Sequence, residues 1–148
     1  MTGTVAVKFD EQYAPEIRRI RNTVFTAEQY IDEKLDFDGQ DPDAVHVLVA
    51  CQGTYVGTGR MLSDGHIGRL AVLKAYRGRG LGAKVLLALV QQAKKMGLKR
   101  VYLGAQKHAI GFYERSGFAV YGEPYTEVNI EHVHMERFIG TGSGTPFP

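Results

Sequence analysis

The sequence predicts a single domain of the α+β (mixed α/β) class. Three observations support this prediction: β-rich runs separated by turns in the first half, one long amphipathic helix near the middle, and a strand–helix–strand–helix order after them. The chain has 148 residues, the length of one domain, and 44% of them are hydrophobic. That composition is sufficient for one buried core.

The first half predicts strands around one helix. Alternation of apolar and polar residues indicates a first strand over Thr4–Phe9, and helical spacing of apolar residues indicates a helix over Pro15–Phe25. The β-rich runs Val45–Cys51 and Thr54–Leu62 are separated by Gln52-Gly53, which predicts a hairpin.

The second half alternates strands and helices and ends in two strands. The expected elements are His66–Val72, Leu81–Met96, Arg100–Ala105, Ala109–Ser116, Phe118–Tyr121 and Val128–Phe138. The inward face of the long helix is expected to consist of Val85, Leu86, Leu89, Val90 and Ala93. We expect one domain over residues 1–139 and a flexible, glycine-rich tail over residues 140–148.

Several classes of protein are excluded or disfavoured by composition. The only cysteine, Cys51, allows neither an intrachain disulfide nor a cysteine-based zinc site. His132 and His134 share one face of a predicted strand but have no third ligand at a clear spacing, so no metal site is expected. No apolar run approaches the ~18 residues of a membrane span, and Met1–Val5 does not resemble the start of a signal peptide. A cytoplasmic protein is expected.

Charge is distributed unevenly along the chain although the net charge is +2. Residues 65–113 contain ten lysines and arginines and no acidic residue, whereas residues 1–64 contain eleven acidic and six basic residues. A polyanionic partner of the basic segment and a solvated basic face both fit this pattern. The acidic stretch Glu28–Asp43 is able to attract a cationic amine but is more typical of a solvated loop.

A glycine-rich turn over Arg77–Ala83 is the most informative local feature. It follows a predicted strand and opens the long helix. Glycines allow a ligand to approach the backbone closely, and the free amides at a helix N-terminus attract anions. Because Arg77, Arg79 and Lys84 add positive charge there, the turn predicts a phosphate-binding site.

Two common nucleotide motifs do not fit this turn. Gly78, Gly80 and Ala83 match the G-x-G-x-x-A fingerprint of dinucleotide-binding folds, but the acidic residue expected about 20 positions later is missing. No Gly-Lys-Ser/Thr follows the turn, which excludes a P-loop. We therefore expect a phosphate-bearing ligand other than NAD or ATP in their usual binding modes.

Three segments in order resemble the GCN5-related N-acetyltransferase (GNAT) family. Arg77-x-x-Gly80-x-Gly82 resembles the family's Gln/Arg-x-x-Gly-x-Gly/Ala motif. Ile67–Val72 resembles its central strand, and Ala109–Phe118 resembles its A-x-x-F-Y-E-x-x-G-F segment. The resemblance extends over Thr4–Arg137. Features similar to its ElaA-like subgroup of predicted acyltransferases are Val24-Phe25, Glu28-Gln29, the acidic run, His46 and Val56–Arg60.

The resemblance implies a GNAT-like fold, in which a central, mostly antiparallel twisted sheet has two splayed parallel strands and flanking helices. It also implies acetyl-CoA as the acyl-donor cosubstrate, with its phosphates accounting for the basic segment. The implied cofactor-binding residues are Leu70, Ala71, Val72, Arg77, Gly78, Arg79, Gly80, Leu81, Gly82, Ala83, Gln106 and Tyr113. Gln106 departs from the family pattern, because many members have an asparagine there.

Attack of an amine on a thioester needs a base for the amine and an acid for the leaving thiolate. Tyr113 matches the family position that often supplies the acid, and a phenol with a pKa near ~10 can donate to a thiolate. The backbone amide of Ala71 or Val72 is expected to polarise the carbonyl. The base remains open among Glu28, His66, His132 and His134, of which Glu28 and His132 are taken as the catalytic candidates.

The predicted function is N-acetylation of a primary amine, either a small molecule or a peptide. A non-catalytic acyl-CoA-binding sensor on the same fold is the alternative. A nucleic-acid-binding module is disfavoured because the arginines cluster at a glycine turn rather than along a helix face. Neither nucleic acid nor a membrane is expected as a partner, and dimers are common in the family, so a homodimer is compatible with the resemblance.

Overall fold

The computed structural model describes residues 2–140, and within them the chain forms seven strands and four α-helices. The strands are β1 (Thr2–Val7), β2 (Val45–Cys51), β3 (Thr54–Met61), β4 (Ile67–Val72), β5 (Arg100–Gln106), β6 (Ala119–Glu127) and β7 (Ile130–Phe138). The helices are α1 (Ala14–Arg21), α2 (Glu33–Asp36), α3 (Leu81–Lys95) and α4 (Ile110–Arg115). A π-helical turn, Asn22–Glu28, continues α1.

The strands form two antiparallel groups that meet at one point. Strands β1 to β4 pair in sequential order, and β7 lies between β5 and β6. Between the groups, β4 and β5 run parallel, and they are joined by an isolated bridge between His66 and Tyr102. The expected α+β class, with a mostly antiparallel sheet, is confirmed.

The β2–β3 hairpin is confirmed, including its turn. Gln52 and Gly53 have φ values of 52° and 83°, which are the values that a two-residue type I′ turn requires. Such a turn matches the twist of the two strands. The local sequence therefore determines this hairpin.

Helix α3 contributes more residues to the main core than any other element. The residues expected to face inward are all buried, namely Val85, Leu86, Leu89, Val90 and Ala93. They pack against the faces of both strand groups. On the other side of the first group, Ile17 and Ile20 of α1 pack against Leu48 in a second cluster. Burial on this scale is the dominant favourable contribution to folding.

Several elements differ from the sequence-based expectation: β1 spans Thr2–Val7 rather than Thr4–Phe9, and α2 was not expected. The first helix ends at Arg21 and continues as the π-helical turn, rather than as regular helix to Phe25. Strand β6 extends to Glu127 instead of ending at Tyr121, because a register shift between Tyr121 and Tyr125 accommodates the Gly122-Glu123-Pro124 sequence. Proline is tolerated there because β6 is an edge strand.

The predicted tail over residues 140–148 lies, apart from Gly140, outside the described residues. Within the described part, no helix is long and apolar enough to cross a membrane.

Candidate functional site

The two parallel strands β4 and β5 separate after their first residues. Tyr102 donates its backbone N–H to the Gly65 carbonyl at 3.0 Å, next to the His66–Tyr102 bridge. Beyond this bridge the described residues show no further pairing between β4 and β5. A V-shaped gap therefore opens toward the carboxyl ends of both strands.

Strand β4 presents the backbone amide of Val72 to this gap. Leu73 donates its N–H to the Val56 carbonyl of β3 at 2.9 Å. Because successive residues of a strand point their amides to opposite sides, the amide of Val72 faces away from β3. The sequence did not decide whether the amide of Ala71 or that of Val72 donates to the thioester carbonyl. The register of β4 against β3 favours the amide of Val72.

The glycine turn adjoins the end of β4 at the start of α3. Gly78 and Gly80 have φ values of 79° and 77°, and a Cβ at either position would meet no atom within 4 Å. Lys84 makes the first helical hydrogen bond, to the Gly80 carbonyl, and no side chain caps the helix. The preceding amides are therefore free to bind an anion, as the sequence predicts for a phosphate site.

The positive charge near this turn is smaller than the sequence suggests. Arg77 donates to both carboxylate oxygens of Glu28 at 2.6 and 2.7 Å and to the Val72 carbonyl at 2.9 Å. Arg79 is exposed, with its guanidinium 5.2 Å from the centre of the Tyr76 ring. Lysines and arginines of the acid-free segment that pair with acids from elsewhere are Arg69, Arg77, Arg100 and Lys107.

A cleft of about 480 Å³ opens beside the splayed strands. One wall comes from the segment after α1 and from α2, and it includes Phe25, Gln29, Ile31, Leu35 and Asp36. The strands β4 and β5 and the start of α4 contribute His66–Leu70, Gly104–Gln106, His108, Ala109 and Tyr113. The hairpin of β6 and β7 contributes Tyr125, Glu127, Val128, Ile130 and His132. We call this cavity the acceptor cleft.

Tyr113 lies in the acceptor cleft at the base of α4. Its ring packs edge-on against Phe112 and Phe118, with centroid distances of 5.0 and 6.1 Å. Burial raises the pKa of Tyr113 to about 12, so the phenol is protonated at any physiological pH. Among residues 2–140, no side chain or backbone group forms a hydrogen bond with its hydroxyl, which leaves that proton available to a ligand.

The histidines differ in their access to the acceptor cleft. His132 lines it, and its Nδ1 lies 2.8 Å from the Ile130 carbonyl. Because a carbonyl can only accept, Nδ1 carries the proton and the neutral ring has a free lone pair on Nε2. His66 also lines the cleft, and partial burial lowers its pKa. His134 does not line it and stacks on Tyr125 at 4.3 Å.

Glu28 is separated from the acceptor cleft and bound to Arg77. The hydrogen bonds from Arg77 hold the pKa of Glu28 below its ordinary value, so the carboxylate is a poor proton acceptor. Of the other predicted residues, Leu70, Gln106 and Tyr113 line the acceptor cleft, whereas the glycine turn lies outside it. A Cβ at Gly82 would lie 3.4 Å from Phe112, an ordinary van der Waals contact, so packing alone does not require this glycine.

A buried network of charged residues next to the acceptor cleft was not predicted. Arg21 pairs with Asp36 at 2.9 Å and with Asp41 at 2.7 Å, and all three side chains are buried. Arg60 bridges Asp41 and Asp38 at 3.0 and 2.7 Å. The expectation of a solvated acidic loop was therefore wrong for Asp36 and Asp41, whereas Asp38 is exposed but paired with Arg60.

Arg69 extends this network to strand β4. It contacts the Asp36 carboxylate at 3.0 Å and the Asp38 carboxylate at 3.2 Å, and it also donates to the Leu35 carbonyl at 3.1 Å. Arg69 has a φ of 53°, close to the register shift between β3 and β4. The three arginines and three aspartates balance in charge and attach the loop that carries α2 to the sheet. No cluster suited to a metal ion occurs in residues 2–140.

Comparison with known sequences agrees with this geometry. Residues 10–138 match the family described as acetyltransferase (GNAT) domain. YyaT of Bacillus subtilis (strain 168) is 35% identical over 130 residues, which cover 84% of this chain and 88% of YyaT. ElaA of Escherichia coli (strain K12) is 33% identical over 128 residues, which cover 80% of this chain and 83% of ElaA.

Two solved structures are similar over nearly their full length. The crystal structure of Escherichia coli ElaA superposes with a TM-score of 0.82 at 28% identity and covers 93% of this chain and 99% of that one. An acyl-CoA N-acyltransferase from Pseudomonas aeruginosa superposes with a TM-score of 0.82 at 29% identity and the same coverage.

The family match and the similar acyl-CoA N-acyltransferase structure show an acyl-CoA N-acyltransferase with the GNAT fold. The chain belongs to the GNAT family. Within that family it is an ElaA-like member. It is therefore an acyltransferase that uses an acyl-CoA cosubstrate and an amine acceptor.

Proposed function

We propose that this chain is an acetyl-CoA-dependent N-acetyltransferase that transfers the acetyl group directly to a primary amine. The observation that carries the proposal is Tyr113. Tyr113 lines the acceptor cleft beside the splayed strands, and its protonated hydroxyl has no hydrogen-bond partner within residues 2–140. A site that only binds acyl-CoA has no need of a proton donor at that position.

The acetyl-CoA substrate is assigned to the gap between β4 and β5. The free amides of Gly82 and Ala83 at the start of α3 bind its pyrophosphate, and Arg79 and Lys84 add charge. Glycine at positions 78 and 80 leaves open space for the phosphates. Arg77, which is bound to Glu28, acts mainly by fixing the shape of the turn.

The amide of Val72 faces the gap and is proposed to donate to the thioester carbonyl as negative charge develops on its oxygen. The amine nitrogen attacks the carbonyl carbon, a C–N bond forms and the C–S bond breaks. His132 takes the proton lost by the amine through Nε2, directly or through water, and Tyr113 gives its proton to the thiolate. The products are the N-acetyl amine and coenzyme A, and the phenolate recovers a proton afterwards.

His132 is preferred to Glu28 as the base for a structural reason. His132 lines the acceptor cleft, and because Nδ1–H donates to the Ile130 carbonyl, the lone pair of the neutral ring is on Nε2. Glu28 does not line the cleft, and each of its carboxylate oxygens accepts a hydrogen bond from Arg77. His66 and His108 are the other two imidazoles that line the cleft, and they are the comparison residues for any test of the base.

The test of the proposed function is release of free coenzyme A thiol from acetyl-CoA in the presence of a panel of primary amines. Amine-dependent thiol release with equimolar N-acetyl product supports it. Acetyl-CoA binding without release for every amine would instead support a non-catalytic sensor. A Cys51→Ser variant controls for the protein's own thiol, which is buried. Propionyl-CoA and longer acyl-CoAs in the same assay test the preference for acetyl.

A further inference from the structure

One carboxylate that lines the acceptor cleft has no ion-pair partner within the described residues. Asp36 and Arg69 line the cleft but belong to the balanced network. Glu127, at the end of β6, is exposed to the cleft and forms no ion pair within the described residues. Among the described cleft residues no lysine lines the wall, and the arginine is already paired. The cleft is therefore suited to a cation, and its described wall offers an anion no unpaired lysine or arginine, only the imidazoles of His66, His108 and His132.

Two exposed apolar side chains stand on opposite walls of this cleft. Leu35 of α2 is 55% exposed and Val128 of the β6–β7 turn is 47% exposed. Leu35 is fixed in place because its carbonyl accepts a hydrogen bond from Arg69. Phe25 and Ile31 add apolar surface to the wall on which Leu35 lies. An apolar body of a ligand would bury these side chains.

Val128 is also in a backbone conformation that valine disfavours. Its φ is 51°, and with Asn129 at 60° it forms the two-residue turn between β6 and β7. Glycine, asparagine and aspartate suit such a turn, whereas a β-branched residue at positive φ is strained. Folding alone therefore does not explain a valine here, and strained residues of this kind often occur at ligand sites.

We propose that the acceptor is a small monoamine with an apolar body and no carboxylate, such as an arylalkylamine. Its body lies between Leu35 and Val128, and Glu127 attracts its ammonium group before deprotonation. This inference rests on the proposed function, because it specifies the amine that the acceptor cleft takes. It distinguishes this acceptor from a free amino acid, whose carboxylate would lie near Glu127 without a cationic partner.

The test compares three amines. Phenethylamine has the predicted features, phenylalanine adds a carboxylate, and putrescine has a second amine in place of the apolar body. We expect kcat/KM for phenethylamine to exceed that of either other amine by at least about tenfold. Phenylalanine amide has nearly the size of phenylalanine but no negative charge. Its kcat/KM should therefore be much closer to that of phenethylamine than the kcat/KM of phenylalanine is. Equal or better use of phenylalanine, or of a lysine-containing peptide, would overturn the proposal.

Variants of the turn separate a binding role from a structural one. Val128→Gly should raise KM for phenethylamine about tenfold, leave KM for acetyl-CoA unchanged and keep or raise the melting temperature. Asn129→Gly is the matched control, because it relaxes the same turn without changing the acceptor cleft, and it should leave both KM values unchanged. Glu127→Gln should raise KM for phenethylamine and weaken its dependence on salt. Unchanged KM in both Val128→Gly and Glu127→Gln would refute the assignment.

A binding measurement keeps this inference separate from the proposed function. Phenethylamine and phenylalanine are titrated by calorimetry into protein saturated with coenzyme A, which requires no turnover. Tighter binding of phenethylamine that Val128→Gly weakens supports the inference, even if no amine releases thiol and the proposed function fails. Equal binding of the two amines overturns the inference, even if thiol release is observed.

Discussion

Replacing Asp41 by asparagine should destabilise the fold strongly. Asp41 is 3% exposed, and one of its oxygens accepts hydrogen bonds from Arg21 at 2.7 Å and Arg60 at 3.0 Å. Asparagine keeps the shape but leaves one of these guanidinium charges uncompensated in the buried network. Breaking a buried pair in this way costs about 3–5 kcal/mol, which is a large fraction of a total stability of about 5–15 kcal/mol.

The assay is urea and thermal unfolding of Asp41→Asn beside Asp43→Asn. For a chain of this size the loss corresponds to a fall in melting temperature on the order of 10 °C. Asp43 is an exposed aspartate of the same loop with no ion pair in the described structure, so its variant should change stability by less than about 0.5 kcal/mol. Equal melting temperatures for the two variants would refute the assigned role of the network.

Because of the same network, the stability of the fold should decrease at acidic pH. Burial alone would raise the pKa of Asp41, but Arg21 and Arg60 outweigh it and hold the pKa below its ordinary value. The hydrogen bonds from Arg60 likewise lower the pKa of Asp38. A carboxyl group with a depressed pKa stabilises the fold above its unfolded pKa of about 4 and loses this effect as pH falls. The free energy of unfolding should therefore decrease below about pH 4, and less steeply in Asp41→Asn.

Three further predictions concern acyl-CoA binding and catalysis. Gly80→Glu should abolish the binding of acetyl-CoA measured by calorimetry. Gly97, at the other end of α3, has the same φ of 77° and the same open space, so Gly97→Glu should lose similar stability but keep binding. Binding by both variants would exclude the glycine turn as the phosphate site. Raising salt from about 50 to 500 mM should weaken that affinity through Arg79 and Lys84, and a salt-independent affinity would contradict it. Because the pKa of Tyr113 is about 12, kcat should show no alkaline loss below about pH 11.

Elements fixed by local sequence were predictable. The type I′ turn at Gln52-Gly53 and the amphipathic face of α3 depend on residues within one or two turns of each other, and both were confirmed. The π-helical turn and the extension of β6 depend on tertiary surroundings. In β6, Gly122 and Pro124 look like a strand end, and only the pairing with β7 shows that the strand resumes.

The acceptor cleft was harder to predict because its charges pair over long sequence distances. Arg77 and Glu28 are 49 residues apart, and Arg69 and Asp36 are 33 apart. From the distribution of charges along the sequence, such residues are interpreted as a free basic segment and a free acidic loop. The structure shows that they neutralise each other, and this leaves Glu127 as the uncompensated carboxylate of the cleft in residues 2–140.

The central claim is that Tyr113 protonates the departing thiolate, and the Tyr113→Phe variant tests it most directly. Phenylalanine keeps the ring contacts with Phe112 and Phe118, so the melting temperature and acetyl-CoA affinity should change little. Tyr121→Phe, outside the acceptor cleft, is the control and should keep normal turnover.

The decisive measurement is kcat of Tyr113→Phe with acetyl-CoA and with an acetyl thioester of a more acidic thiol. If Tyr113 is the acid, kcat should fall about 10²–10⁴-fold with acetyl-CoA and less with the more acidic leaving group, which needs less help from a proton donor. Turnover near that of the wild type with acetyl-CoA would show that Tyr113 is not the acid and has a packing role alone.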